Sequence, residues 1–452
     1  MTSSRNSFNS KIGIILATAG SAVGLGNIWR FPYLVGNNGG AAFLLIYIAC
    51  IFLLGIPGMM AEFIVGRYGK ANAVKAYQNF SGSKAWSLVG ALGVLTSIII
   101  LGFYAVVAGW CIQFLYASIV GELQGNVYVI QDYFARISAN PFLSVFNALL
   151  VLLLTHIVIT RGVRRGIERA SKIFMPILLM LLVILVVASI SLPDSMKGVD
   201  FLFNPDFSTV NGNTILEALG QAFFSLSLGT ACLCTYASYF KPSVSLLKTA
   251  SQTALIDTII ALLAGLIIFP AAFSVGVDAG SGPSLVFITI PNVFQQAFSA
   301  VPLVGRLMSI LFYLLLILAA LTSTISMHEI GTAFFHEQFR WSRQRGALFE
   351  TLICAVLAVV SALSVGACPN LKVMGMSAMN FFDSLTAQTL LPLGALLTFF
   401  LVGWFASRKV VEQEFIGGSP LLKKIFPVFL FVVRYACPLS ILLIFLHQLE
   451  VI

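Results

Sequence analysis

The first long apolar run of this chain is interrupted by Gly20-Ser21-Ala22-Val23-Gly24-Leu25-Gly26-Asn27. These small and polar residues lie where an apolar helix would cross the middle of a membrane. The sixth apolar run carries Ser225-Leu226-Ser227-Leu228-Gly229-Thr230 at a similar depth. Five spans reverse the topology, so matched interruptions in runs one and six predict two inverted halves, each beginning with a broken helix. The alternative is close packing of intact helices through small residues, which explains one such run better than two in matched positions.

Composition places the rest of the chain in lipid. Of 452 residues, 59% are hydrophobic and 10% are charged, whereas soluble domains carry about 25% charged residues. Because a span needs about 20 apolar residues, we expect an all-α polytopic membrane protein with eleven transmembrane helices. The predicted spans are 12–36, 41–66, 87–119, 142–160, 173–192, 214–239, 253–275, 303–335, 348–366, 376–406 and 426–448. They predict one membrane transport domain over residues 1–452, with inverted repeats at about 12–192 and 214–406 and an extra helix at 426–448.

The net charge of +9 reflects membrane topology, not nucleic-acid binding. Lys and Arg cluster in the short loops after the even-numbered spans, and the loops after the odd-numbered spans are poor in them. The positive-inside rule therefore predicts a cytoplasmic N-terminus and, with eleven spans, a C-terminus outside. The seven cysteines have neither disulfide-framework nor zinc-site spacing.

Broken helices predict the chemistry of the site. Their free N–H and C=O groups cannot face lipid, so they must line a cavity. The start of a half-helix attracts an anion and its end offers carbonyls to a cation, which suits a zwitterionic amino acid and a hard cation. Oxygen atoms of the kind that an alkali ion accepts are supplied by Asn27, Ser225, Thr322 and Ser323.

Ionisable residues inside membrane spans are costly and usually functional. Four stand out, and for each alone an ordinary structural charge is an equal alternative: Glu62, Asp257 at the start of the seventh span, Glu329 and Asp383. Arg30 is a plausible outer partner for Asp383. Enzyme motifs fail: His328-Glu329 begins like a zinc-binding HExxH, but position 332 is Thr. An intramembrane enzyme is therefore disfavoured, and without a recognisable soluble signalling segment we expect a symporter and not an amino-acid sensor.

Several motifs resemble the neurotransmitter:sodium symporter family. The most specific is Gly24-Leu25-Gly26-Asn27-Ile28-Trp29-Arg30-Phe31-Pro32-Tyr33, which resembles its first helix. Others are Asn38-Gly39-Gly40-Ala41-Ala42-Phe43, Gly66-Arg67-Tyr68-Gly69, Phe223-Phe224-Ser225-Leu226-Ser227 and Leu321-Thr322-Ser323-Thr324. The resemblance covers nearly the whole chain. It implies a bacterial member of the leucine-transporter type that lacks the usual twelfth helix and lies in the cytoplasmic (inner) membrane.

The resemblance implies a substrate site and two sodium sites. The sequence offers no cluster of thiolates and imidazoles for a transition metal. The substrate residues would be Ala22, Gly24, Leu25, Gly26, Ile100, Tyr104, Phe224, Ser225, Ser227, Thr230, Ser323 and Met327. The first sodium would use Ala22, Asn27, Ser225 and Asp257, and the second Gly20, Val23, Ala319, Thr322 and Ser323. It also implies an outer gate of Arg30 and Asp383, an inner gate of Arg5, Phe8, Tyr239 and Glu337, and Glu62 as a brace for the unwound sixth helix.

Departures from the family pattern sharpen the expected substrate. Amine-transporting relatives place Asp where this chain has Gly24, so we expect import of a neutral, hydrophobic or aromatic α-amino acid by alternating access. Chloride-dependent relatives hold the anion with residues that match Tyr47, Gln221, Ser225, Asp257 and Ala261. A carboxylate at 257 and a missing hydroxyl at 261 predict that chloride is not required. A monomer should suffice for transport, although an oligomer is possible.

Overall fold

The computed structural model describes residues 7–276, 285–368, 370–417 and 419–448. In this part of the chain, nine helices are long and apolar enough to cross a membrane, and a tenth span is a bent pair. Two shorter helices on either side of the second break form the eleventh. We number the spans one to eleven. They are Lys11–Ala22 with Gly26–Asn37, Ala41–Gly69, Lys84–Val120, Pro141–Thr160, Val163–Ile190, Gly212–Ser225 with Cys232–Ala237, Leu246–Ser274, Pro302–Gln338, Arg343–Val365, Ala378–Phe405 and Leu421–Gln448.

The first span breaks where the sequence predicts. Ser10 caps its start by accepting the Gly13 N–H, and the helix ends at Ala22 because Val23 is extended (φ −70°, ψ 115°). The chain turns helical again at Gly26, through one wide π-type turn, and the two halves meet at 54°.

The sixth span breaks over a longer stretch, and the prediction of a second broken helix is confirmed. Its outer half ends at Ser225 and its inner half starts at Cys232. Three residues between them have left-handed backbones: Ser227 (φ 55°), Gly229 (φ 87°) and Ala231 (φ 59°). Gly229 is required twice over, because its φ favours glycine and a Cβ there would collide with the backbone carbonyl of Leu391.

Packing of the spans follows the inverted repeat. Spans three and eight pack along each other, and spans two and seven flank the broken spans. Span three also packs on span four, and span eight packs on span nine in the equivalent way. The two breaks therefore lie together, enclosed by spans two, three, seven and eight.

Several helix ends differ from the prediction. The seventh span begins at Leu246, capped by Ser245, so Asp257 lies three turns inside it and not at its start. Five short helices outside the spans were not predicted: Ala73–Ser81, Val127–Ala139, Met196–Phe203, Leu285–Ala297 and Arg408–Ile416. The sequence also gave no sign of the two-stranded antiparallel hairpin of Lys372–Val373 and Met376–Ser377.

Candidate substrate and sodium site

The first break leaves backbone N–H groups that side chains satisfy. The Gly24 N–H donates to Asn27 Oδ1 at 3.0 Å, and the Leu25 N–H donates to the Tyr104 hydroxyl at 3.0 Å. A Cβ at Gly24 would lie 2.6 Å from Ser323 Oγ and 3.0 Å from the Tyr104 hydroxyl. Spans one, three and eight therefore meet at Gly24, and no larger residue fits there without displacing these hydroxyls.

Asn27 joins this break to a buried carboxylate. Its Nδ2 donates to Asp257 Oδ1 at 2.7 Å and lies 3.3 Å from Ser225 Oγ, while Ser225 Oγ donates to Asp257 Oδ2 at 2.7 Å. The Tyr47 hydroxyl is 3.5 Å from the same Oδ2. These four side chains come from spans one, six, seven and two, and all are buried. They form a compact oxygen-rich cluster at the position where the first sodium site is expected.

Two further residues belong to the set that would hold chloride in relatives. Gln221 lies one helical turn before Ser225, and among the described residues its buried amide has no hydrogen-bond partner on either Nε2 or Oε1. Ala261 lies one turn beyond Asp257 and is fully buried without a polar side chain. Within this set, the Asp257 carboxylate is bonded to Ser225 and lies 3.5 Å from the Tyr47 hydroxyl, and position 261 contributes no donor.

A second oxygen cluster surrounds the carbonyl of Val23. Ser323 Oγ donates to it at 3.1 Å, and Thr322 Oγ1 lies 3.4 Å from it while also donating to the Ala319 carbonyl of its own helix at 2.9 Å. A Cβ at Gly20 would lie 3.3 Å from Thr322 Cβ, so spans one and eight are in close contact. The five residues expected for the second sodium are brought together.

The region expected for the substrate side chain is partly formed by aromatic and aliphatic groups. The Phe224 ring lies against Gly26, where a Cβ would be 2.9 Å from Cε1. Ile100 shares a face of span three with Tyr104, and Met327 shares a face of span eight with Ser323, because each pair is four residues apart.

Polar groups of the sixth break form hydrogen bonds with other groups of the protein. The Ser227 hydroxyl donates to the Ser21 carbonyl of the first span at 3.1 Å. The Thr230 hydroxyl donates to the Ser227 carbonyl at 2.8 Å and accepts the Cys232 N–H at 3.1 Å. Glu62 braces this break: the Gly229 N–H donates to its Oε1 at 2.7 Å.

The residues of the expected outer gate are not joined as an ion pair. The Arg30 guanidinium lies over the Phe224 ring, 4.5 Å from its centroid. Among the described residues, no Arg30 nitrogen lies within 4.0 Å of an Asp383 carboxylate oxygen. Asp383 is exposed and Arg30 is half-buried.

The expected inner gate is formed in part. The Phe8 ring is buried against Tyr236 and Tyr239, with centroids 5.9 and 6.2 Å apart. Arg5 lies outside the described residues. Glu337 accepts the Asn72 N–H at 2.6 Å, which ties the end of span eight to the helix after span two.

The sequence did not identify the charged cluster beside Phe8. The Tyr239 hydroxyl donates to Glu329 Oε1 at 2.7 Å, and Arg343 forms a two-pronged ion pair with Glu329. From the sequence alone, Arg343 is only one of the basic residues that follow the eighth predicted span. Its role was not visible because Glu329 lies in span eight, Arg343 begins span nine and Tyr239 follows span six, so only the packing of the bundle brings them together.

The chain is similar over its whole length to known membrane transporters. The sequence profile of the sodium:neurotransmitter symporter family matches residues 5–132 and 139–451. An uncharacterized sodium-dependent transporter of Bacillus subtilis, YhdH, is 37% identical over 98% of this chain and 97% of its own. One from Haemophilus influenzae is 32% identical over 98% of both chains. The crystal structure of MhsT in complex with L-phenylalanine matches with a TM-score of 0.87 and 37% identity, over 98% of this chain and 99% of MhsT.

Proposed function

Since the chain belongs to the sodium:neurotransmitter symporter family, we propose that it imports a neutral, hydrophobic or aromatic α-amino acid together with sodium, by alternating access and without chloride. Membership makes it an integral membrane transporter and not an enzyme. The proposed location is the bacterial cytoplasmic (inner) membrane, with the N-terminus inside and the C-terminus outside, as the positive-inside rule predicts. One monomer holds all the proposed binding groups, so we expect a monomer to be sufficient.

The first break is the observation that carries the proposal. Its two N–H groups, at Gly24 and Leu25, are held by Asn27 and Tyr104, and hydrogen bonds to side chains can be exchanged for bonds to a substrate carboxylate. The break also touches both oxygen clusters. Binding of the amino acid and of two sodium ions would therefore depend on the same few residues, which is a physical basis for coupling.

Two observations support the proposed substrate class. A free amine would need a fixed anion at the first break, and the space around Gly24 has no room for a carboxylate side chain. The substrate's own carboxylate would serve instead. Phe224, Ile100 and Met327 offer apolar contact, and the similar structure of MhsT contains L-phenylalanine.

Asp257 supports independence from chloride. Its carboxylate is bonded to Asn27 and Ser225, which are both expected ligands of the first sodium. A fixed negative charge there would balance the sodium, and it would repel a second anion at short range because screening is weak inside the membrane. The proposed ligands of the first sodium are Ala22, Asn27, Ser225 and Asp257, and those of the second are Gly20, Val23, Ala319, Thr322 and Ser323.

Uptake into proteoliposomes tests the proposal. We expect concentrative uptake of leucine, phenylalanine or tryptophan driven by an inward sodium gradient, with lithium and potassium substituting poorly. Replacement of chloride by gluconate should leave uptake unchanged. Binding of tryptamine without binding of any of these amino acids would contradict the substrate class, and binding without uptake would indicate an amino-acid sensor.

A further inference from the structure

The segment that leads into the first span has two differently bonded sides. On one side, the Phe8 ring packs against aromatic rings at the inner end of the sixth span and just after it, where the inner gate is expected. On the other side, the backbone and hydroxyl groups of Ser7, Asn9 and Ser10 face the first turns of span five. The second side has no part in the expected gate.

Glu168 is the centre of that second contact. Its Oε2 accepts the Asn9 N–H at 2.8 Å, and its Oε1 accepts the Ser10 hydroxyl at 2.9 Å and the Lys172 ammonium at 2.7 Å. Nearby, Arg164 donates to the Ser7 carbonyl at 2.7 Å. The carboxylate is therefore held by three donors, two of which belong to the segment before the first span.

The fit between Glu168 and the first span is close. The Glu168 side chain is only 3% exposed, and a Cβ at Gly13 would collide with its carboxylate. Ser10, which donates to Glu168, also accepts the Gly13 N–H at 3.0 Å as the cap of the first span. One buried carboxylate thus fixes the start, the cap and the first turn of the inner half of this span.

We infer that Glu168 is a positioning residue that fastens the inner half of the first span to span five, and that its bonds to Asn9 and Ser10 break whenever the protein opens to the cytoplasm. This inference rests on the proposed alternating-access function, in which the inner half of the broken first span moves. Because a buried carboxylate that accepts charge-assisted hydrogen bonds is costly to expose, the anchor favours the inwardly closed state. Lys172 also bonds the carboxylate but belongs to the same helix as Glu168, so this bond does not join the two spans.

A local signal in the sequence agrees with this role. Glu168 is the one acid among five basic residues between positions 161 and 172. The basic residues of this stretch determine the membrane topology, and a single acid among them does not contribute to it. It was overlooked because its partners are mainly a backbone N–H and a hydroxyl, which carry no sequence pattern.

Amide hydrogen exchange of the full-length protein in nanodiscs tests the anchor. The variants are E168A and E168Q, with K172A as the matched control, which removes a 39% exposed donor but leaves both N-terminal donors. In E168A we expect roughly ten- to hundredfold faster exchange in residues 7–22 and 232–240, and little change in the ninth span. E168Q has a single acceptor oxygen, which can serve either Asn9 or the two donors at Oε1. A smaller increase than in E168A is therefore expected, of about threefold or more.

The outcomes separate positioning from general stability. Unchanged exchange in residues 7–22 would overturn the inference, and so would an equal increase in the ninth span, since that would indicate general destabilisation. If E168A is not recovered as folded protein, E168Q decides by the same criteria. Sodium-driven uptake by the wild type is measured separately, so its absence would count against the proposed function and the exchange pattern would still decide whether Glu168 is an anchor.

Discussion

The two broken helices differ in what holds them. The first break is short, contains no left-handed residue and is held by Asn27 and Tyr104, side chains that line the expected substrate and sodium sites. The sixth break is twice as long, has three left-handed residues and is held by Glu62 from span two and by Thr230 within the break. The difference indicates that the first break is built to exchange its hydrogen bonds for ligands and that the sixth is built to keep its shape.

The strongest test of this difference is removal of the brace. In E62A the Gly229 N–H is left buried without an acceptor and a cavity replaces the carboxyl group, so we expect a loss of about 3–5 kcal/mol. The apparent melting temperature of purified protein should fall by roughly 5 °C or more, and uptake should be lost. D132A, at an exposed ion pair, is the control. A melting temperature for E62A within about 1–2 °C of wild type would show that the brace does not hold the break.

A matched pair of glycines sharpens the comparison. G229A adds a Cβ at a left-handed residue and against a backbone carbonyl, so it should destabilise the fold by about 1–3 kcal/mol. G24A adds a Cβ that meets only two hydroxyls of the proposed site. It should leave the melting temperature nearly unchanged and weaken amino-acid binding by roughly tenfold.

Scintillation proximity binding and melting curves measure both effects on the same samples. The comparison would be wrong if G24A destabilised the protein as much as G229A, or if G229A reduced only binding.

The sequence predicted the breaks well and the contacts around them only in part. Small residues in runs one and six and the family motifs were sufficient for the fold, and they also pointed to the oxygen atoms that we propose as sodium ligands. The start of the seventh span was missed because Lys248 and the polar residues after it lower the hydropathy, although Ser245 caps a helix there. The bonds of Glu329 to Arg343 and Tyr239 could not be predicted, since which charges pair across spans depends on the packing of the whole bundle.

Asp257 tests whether the first break depends on a fixed charge. D257N removes that charge, and since Asn27 depends on Asp257 for its orientation, we expect apparent sodium affinity to fall by about tenfold. D257N combined with A261S should make any remaining uptake depend on chloride, because it supplies a hydroxyl and removes the repulsion. A261S alone is the control and should remain indifferent to chloride. Loss of wild-type uptake in gluconate would refute the proposed role of Asp257.

The smallest expected effect concerns the hydroxyls around Val23, and here two neighbouring residues should differ. Ser323 Oγ donates to the Val23 carbonyl of span one at 3.1 Å, whereas Thr322 Oγ1 donates chiefly to Ala319 of its own helix and reaches Val23 at 3.4 Å. A hydroxyl bonded to its own helix contributes less to the contact between spans one and eight. We therefore expect S323A to weaken apparent sodium affinity by roughly three- to tenfold and T322A by less. S309A, whose hydroxyl bonds to Gly305 of the same span, should have no effect, and sodium titrations of amino-acid binding measure all three. A larger effect of T322A than of S323A would contradict this order. It would mean that the Thr322 hydroxyl turns away from the Ala319 carbonyl and coordinates the ion when sodium binds.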